Sequence, residues 1–383
     1  MKNAIKSDKI ITSSGIKSGY IAICDGKIEK ICDTLPEGYT EFDYTGCYIS
    51  AGFIDLHTHG GMGYPFLTKD ASDVAKACDF HLSHGTTTIL PTLSASPIGV
   101  LKESVEAIKA ARDGKLTKAN VIGAHLEGPY LSKEQCGAQA PGFITKPIKE
   151  EYAPLIDELG DAIARWTYAP ENDDNGEFAK YLKEHGIIAS IGHSNAKGDD
   201  VKLAVENGAN LITHLYSCTS TITRDHGYRS LGVIESAFLL DDLYVELIAD
   251  GSHLPVDLVK MIVKIKGKEH TALITDSLEI AGTDIREGVM ASTHFIVEDG
   301  VCKLLDRSAF AGSVATADVL LRFAVQKCGF SIEDACYMLT ETPAKILGIN
   351  AGKIDTGYRA DLVVLDEALE VKDVFVLGEK NIT

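Results

Sequence analysis

No two cysteines in this chain stand at the C-x-x-C spacing of zinc ribbons and thiol oxidoreductases, although the sequence holds nine of them. An odd, scattered set fits reduced thiols serving mostly as small core residues. No segment reaches the roughly 18 apolar residues of a membrane span. The opening "MKNAIKSDKIITSSG" lacks the apolar centre of a secretion signal. A cytoplasmic protein is therefore expected. No Lys/Arg run relieves the formal net charge of -18, so nucleic acid and anionic membranes would be repelled and small molecules are the expected partners. There is no G-x-G-x-x-G or P-loop for a nucleotide, no internal repeat and no low-complexity tract.

What the chain does have is 383 residues, 45% of them hydrophobic, enough to bury one large core with or without a smaller companion. Short β-type runs recur at 48–57, 86–91, 121–127, 165–170, 187–193, 210–214, 244–250 and 271–276. Between them lie helical patterns at 71–84, 97–112, 178–185, 196–207 and 255–266, several stopped by Gly, as in "HG" at 84–85 and "NG" at 207–208. Strand alternating with helix means parallel β/α units. Eight such units predict an α/β protein with a closed (β/α)₈ barrel, and an open doubly wound sheet fits the same pattern. The two ends read as short strands punctuated by turns, as at Ser14-Gly15 and Asp25-Gly26. Neither end has enough surface to fold alone. The expected organisation is a small β-sandwich from residues 1–47 plus 352–383, and a barrel domain over 48–351.

The chemistry of a (β/α)₈ barrel sits at the C-terminal ends of its strands. Here those ends carry His57 and His59, Glu127, Glu171, His193, His214, Asp250 and Asp276. Successive strand residues point to opposite faces, so His57 and His59 share one face, as do His125 and Glu127. Any one of these residues is as readily a loop anchor or a helix cap. Together they would crowd ionisable groups at one mouth, which is costly unless a cation compensates them. Imidazole nitrogen and carboxylate oxygen suit zinc or another first-row divalent ion, and the constellation reads as metal-assisted hydrolysis with a carboxylate taking the proton of water. Glu171 and Asp250 are expected as supporting groups, His125 as a partner behind the ligands, and His81 and His84 as structural. "GHSNA" at 192–196 mimics a nucleophile elbow, but Ala196 replaces its final Gly.

At "GFIDLHTHGG", "HGTTTILPT", "HLEGPY", "YAPE", "IGHS", "THLYS", "IADGSHLP", "LITDS", "FAGS" and "GKIDTGYRADLVVLD" the chain resembles the N-acetylglucosamine-6-phosphate deacetylase family of the amidohydrolase superfamily, in order and over nearly its whole length. The resemblance implies the same barrel and terminal β-sandwich, a homodimer, and hydrolysis of the acetamide of an amino-sugar phosphate. It implies Glu127, His193 and His214 as metal ligands, with His57 and His59 as the pair some members use for a second ion bridged by Glu127. One or two divalent ions per chain follow, zinc foremost, iron or another first-row ion otherwise. It assigns Asp276 as the proton-transferring carboxylate, and His253 and Arg229 as contacts to the sugar phosphate, the Arg reaching across the dimer interface.

Three departures fall in sugar-facing loops. Gln139 stands where many members have His in a "KGAH"-like loop; an amide can donate to a substrate carbonyl but carries no charge. Ser217, Cys218 and Thr219 replace "NAM". The segment 219–229 is longer than usual, with "SLG" in place of "PG". Gln139, Ser217 and Cys218 are accordingly expected to line the substrate. Two alternatives use the same site: another amidohydrolase activity, on an N-acyl amino acid or a cyclic amide, and a sugar-phosphate-binding protein without catalysis.

Overall fold

The computed structural model describes residues 2–290 and 293–381. Eight parallel strands of two to nine residues run in sequence order round the barrel: Phe53–Thr58, Thr86–Ser94, Ala124–Glu127, Ile163–Tyr168, Ile188–Ile191, Leu211–Ile212, Tyr244–Ile248 and Thr271–Ile274. A two-residue strand, Asn120–Val121, adds to the second. The barrel closes at its C-terminal rim, where Asp276 N–H donates to His57 O (2.9 Å) and His59 N–H donates to Ser277 O (2.7 Å). This makes the molecule the (β/α)₈ barrel, not the open sheet.

The helices expected between the strands are present as Ala71–Ser83, Ile98–Asp113, Glu177–Glu184, Gly198–Glu206 and Val256–Lys266. Each presents an apolar stripe to the strands, as Val74, Ala77, Cys78 and Leu82 do in the first. Helices Lys149–Leu159, Val233–Leu239, Ala317–Arg322, Ile332–Leu339 and Glu341–Leu347 had no clear periodic signal in the sequence, being short or carrying an internal Pro as at Pro154.

The run 48–57, expected as one strand, is two. Tyr48–Ala51 pairs antiparallel with Leu362–Leu365 in the terminal sheet, and only Phe53–Thr58 enters the barrel. The crossing point is Gly52, whose N–H donates to Asp361 O (2.8 Å); a Cβ there would lie 2.0 Å from the Thr87 hydroxyl, so only glycine passes. The terminal sheet has eight strands drawn from both ends of the chain, and it closes on a core of its own that includes Ile5, Ile21, Ile28, Leu362, Val364 and Phe375. An antiparallel four-stranded insertion, Glu287–Met290, Thr293–Glu298, Val301–Leu304 and Phe310–Gly312, follows the last barrel strand. No helix among the described residues is long and apolar enough to cross a membrane.

Beneath the C-terminal rim the barrel interior holds a polar layer, next to an apolar cluster that includes Leu90, Leu211, Ile248 and Ile274. Arg165 and Glu246, both fully buried, form a two-pronged ion pair; Arg165 Nη2 reaches Glu246 Oε2 at 2.9 Å while Nη1 meets Oε1. The remaining guanidinium donors go to Leu56 O (3.2 Å), Ser190 Oγ (2.9 Å) and Thr213 Oγ1 (2.8 Å). Thr167 hydrogen-bonds with His125 Nε2 (2.7 Å), Ser190 (2.8 Å) and Thr213 (2.9 Å), so the network is continuous. Burial, then the charge of Arg165, drives the His125 pKa well below the ordinary imidazole value. Every polar group here has a partner, which is the condition for tolerating a buried pair. Arg165→Met strands the Glu246 charge and is expected to cost about 3–5 kcal/mol of stability, seen by calorimetry, with Arg165→Met/Glu246→Met recovering at least half.

Candidate active site

Above this floor the strand ends converge on one carboxylate. Glu127, at the end of the third barrel strand, places Oε1 at 2.9 Å from His214 Nε2, 3.1 Å from His193 Nε2 and 3.4 Å from His57 Nε2, while Oε2 lies 3.3 Å from His59 Nε2. Asp276 Oδ1 stands 3.2 Å from His59 Nε2 and 3.4 Å from His57 Nε2. All six are buried. The alternation argument places His57 and His59 correctly, their Nε2 atoms 3.3 Å apart. It does not explain the others. His193, His214 and Asp276 follow their strands with φ of 46°, 27° and 47°, in the left-handed region that few non-glycine residues adopt. A single strained residue at each strand end turns the side chain toward the barrel axis, and its surroundings must hold it there.

The imidazoles are oriented from behind. His193 Nδ1 meets Gln135 O at 2.9 Å and His214 Nδ1 meets Ser217 O at 3.1 Å. A carbonyl only accepts, so each Nδ1 carries the proton and each Nε2 presents its lone pair to the Glu127 carboxylate. Lone pair facing carboxylate is repulsive unless a second proton or a cation stands between. Protons answer it where no cation stands: burial favours neutral His57, yet Glu127 and Asp276 outweigh it and push that ring up to about 10. Burial would likewise raise the two carboxyls, but the facing imidazoles hold both Glu127 and Asp276 below the ordinary range. A divalent cation answers the same demand with one charge centre. Two groups of donors, His57 with Glu127 and His214, and His57 with His59 and Asp276, each lie within 4.8 Å of one another, and the donor set fits a first-row ion.

The other expected residues are distributed unevenly. A cavity of about 240 Å³ opens over the cluster, lined among others by Gln139, Ser217, Cys218, His253, Asp276 and Phe310. A second cavity of about 270 Å³, lined by Ser50, Lys268, Tyr337 and Lys353, contains no histidine. Asp250 accepts from His253 Nδ1 (2.8 Å) and from two backbone N–H groups, which fixes the ring and leaves Nε2 for a ligand. Glu171 accepts from Ser194 Oγ (2.7 Å) and Asn195 N–H (2.5 Å), tying down the loop after His193 and occupying Ser194. His81 is buried against Thr58 and Gly60 O (2.8 Å), a structural part as expected. Gln139 donates to Glu127 Oε2 at 2.6 Å. Arg229 is not brought to the cavity: it lies exposed on the hairpin Thr223–Asp225 and Tyr228–Ser230.

Sequence reasoning missed Arg165, Glu246 and Phe310. For the first two a signal was present, a charged residue in an otherwise apolar strand and two positions from another inward-facing one, Thr167 or Ile248. Phe310 reaches His253 from the insertion, ring centroids 4.8 Å apart and planes tilted by 59°, and the insertion's place over the mouth is a tertiary fact.

The amidohydrolase family model matches residues 48–381. The chain is 32% identical over 377 residues to the N-acetylglucosamine-6-phosphate deacetylase of Bacillus subtilis (strain 168), covering 96% of this chain and 94% of that protein. It is 31% identical over 379 residues to the N-acetylgalactosamine-6-phosphate deacetylase of Shewanella sp. (strain ANA-3), with 97% and 94% covered. Among solved structures it is similar to the N-acetylglucosamine-6-phosphate deacetylase of Pasteurella multocida, with a TM-score of 0.93, 29% identity and both chains fully covered. A mutant N-acetyl-D-glucosamine-6-phosphate deacetylase from Mycobacterium smegmatis, in complex with N-acetyl-D-glucosamine-6-phosphate, superposes with a TM-score of 0.92 at 28% identity, again over the full length of both. With the barrel, the terminal sheet and the strand-end cluster all in place, the chain belongs to the N-acetylglucosamine-6-phosphate deacetylase branch of the amidohydrolase family.

Proposed function

We propose that this protein hydrolyses the acetamide of an N-acetylated amino-sugar phosphate, N-acetylglucosamine 6-phosphate, giving glucosamine 6-phosphate and acetate. The observation that carries the reading is the sharing of one buried carboxylate, Glu127, among four imidazoles beside a second carboxylate at a cavity mouth. Glu127, His193 and His214 would hold one divalent ion, and His57 and His59 a second with Glu127 between them. Zinc suits these donors, as does iron or another first-row ion. The chemistry such an ion supplies when bound is Lewis acidity, which polarises an amide carbonyl and acidifies water toward neutral pH.

The chain's own residues do the rest. Asp276, whose Oδ1 stands 3.2 Å from His59 Nε2 and 3.4 Å from His57 Nε2, takes the proton as water attacks the acetyl carbon. It passes a proton to the nitrogen as the C–N bond breaks, so that acetate and amine leave. His253, fixed by Asp250, and Arg229 recognise the phosphate, while Ser217 and Cys218 border the sugar. Arg229 lies outside its own cavity, and we place it in the cavity of a second protomer of a homodimer. Its cross-strand neighbour Arg224 supports this, since two like charges in register oppose each other unless an anion joins them. All these residues fall within the segment 48–351, whose first strand, Tyr48–Ala51, joins the terminal sheet, and we assign 1–47 and 352–383 with that strand as the β-domain of the barrel. A phosphorylated sugar as substrate fits a cytoplasmic enzyme.

Three outcomes test the reading. Metal analysis of protein purified without chelator is expected to find up to two ions per chain, with His214→Ala losing metal and activity together and His57→Ala losing the second ion; full metal content in His214→Ala would sink the assignment. Asp276→Asn, similar in shape but unable to accept a proton, should keep fold and most metal and lose turnover by about a thousandfold or more. Acetate release should favour phosphorylated over free N-acetylhexosamines by about a hundredfold in kcat/KM, or about 2.7 kcal/mol, and Arg229→Ala should erase most of that preference. Equal efficiencies would point to a different amide substrate, and the glucosamine and galactosamine epimers in the same panel rank the sugar.

A further inference from the structure

Gln139 is 5% exposed and clamped at both ends of its amide. Its Oε1 accepts the Ala95 backbone N–H at 2.8 Å. Because a backbone N–H can only donate, the amide oxygen must face Ala95 and the NH₂ must face Glu127, so the orientation is set by chemistry. That NH₂ donates to Glu127 Oε2 at 2.6 Å, a short charge-assisted bond. The same strand end orients a second group, since Ser94 Oγ hydrogen-bonds with His59 Nδ1 at 3.2 Å. Ser94 and Ala95, at the end of the second barrel strand, therefore set His59 directly and Glu127 through Gln139.

The terminal torsion of a glutamate is soft. Glu127 must nevertheless aim Oε1 at His193 and His214 and Oε2 at His59, 3.3 Å away. We propose that Gln139 is a positioning residue for Glu127: its hydrogen bond holds the carboxylate in the one rotation that serves both halves of the cluster, and so sets the affinity of the site for its cation. This rests on the reading of Glu127 as a metal ligand. It gives Gln139 a task different from contacting the substrate carbonyl, and it predicts where the effect of a substitution appears, in metal binding without substrate.

Gln139→Met keeps the length of the side chain and removes both polar ends; Gln139→Asn is one methylene too short to span Ala95 and Glu127. Each is expected to raise the Kd for zinc about tenfold or more, the usual effect of losing a group behind a metal ligand, measured by competition with a chromophoric chelator on substrate-free protein. The metal-free variants should stay cooperatively folded, with a modestly lower unfolding temperature from the Ala95 N–H left without its acceptor, and KM at saturating zinc should stay within about threefold. Zinc affinity within about twofold of the parent in both variants would overturn the proposal. So would a KM raised about tenfold with zinc affinity unchanged, which would return Gln139 to the substrate. Weakened zinc binding in a protein whose parent releases acetate from no sugar phosphate would uphold the role of Gln139 and remove only the substrate reading.

Discussion

Glu127 is the constraint on which the rest depends. A buried carboxylate can be met by one or two donors from a neighbouring loop; here it is met by imidazoles from the first, fifth and sixth barrel strands and by an amide from the loop beyond its own. Each contact is under 3.5 Å, so the strand ends must sit within a few tenths of an ångström of their places. Barrel closure achieves this. Because Asp276 N–H and Ser277 O bond to the first strand at His57 and His59, the last carboxylate is delivered next to the first two histidines by the backbone ladder itself.

Precision at the rim rests on rigidity below it. A barrel filled with aliphatic side chains would pack well, yet this one places Arg165, Glu246, His125 and the hydroxyl groups of Thr167, Ser190 and Thr213 in its interior. Directional bonds locate the strands against one another along their axes, which non-directional apolar contact does less well. The network also touches the site, since Glu246 Oε2 lies 3.8 Å from His57 Nδ1 and accepts from His214 N–H at 3.4 Å. A charge relation below thus supports two of the imidazoles above.

Local signals were legible wherever one element made the feature. Period-two alternation placed His57 and His59 on one face, and glycine stops marked helix ends within a residue or two. Where two sheets share a strand-like run, as at Tyr48–Ala51 and Phe53–Thr58, hydropathy alone showed one long strand, because both halves are apolar and only the partner sheets differ. The insertion over the mouth was hidden for a related reason: its strands are short, and the small cluster formed by Phe295, Cys302 and Ala311 is completed by Leu278 and Ile280 from the segment after the last barrel strand. Arg229 was legible as a charged residue near the sixth strand but not as one that lies outside the cavity of its own chain.

The amino-acid sequence by itself determined the class of chemistry, since His, Glu or Asp recurs at the ends of seven of the eight apolar runs and that recurrence is a one-dimensional fact. It also determined the alternation of strand and helix, through periods 2 and 3.6, whereas closure of the sheet into a barrel was decided by the bonds between the last strand end and the first. Only the tertiary structure decided which groups touch. The distances from Glu127 to His193 and His214 join residues 66 and 87 positions apart, and they depend on left-handed turns after each strand that no local preference requires. The same holds for Gln139, whose partner is chosen by where Ala95 offers its N–H, and for Arg165 and Glu246, which are tolerable as charges only because closure sets one opposite the other.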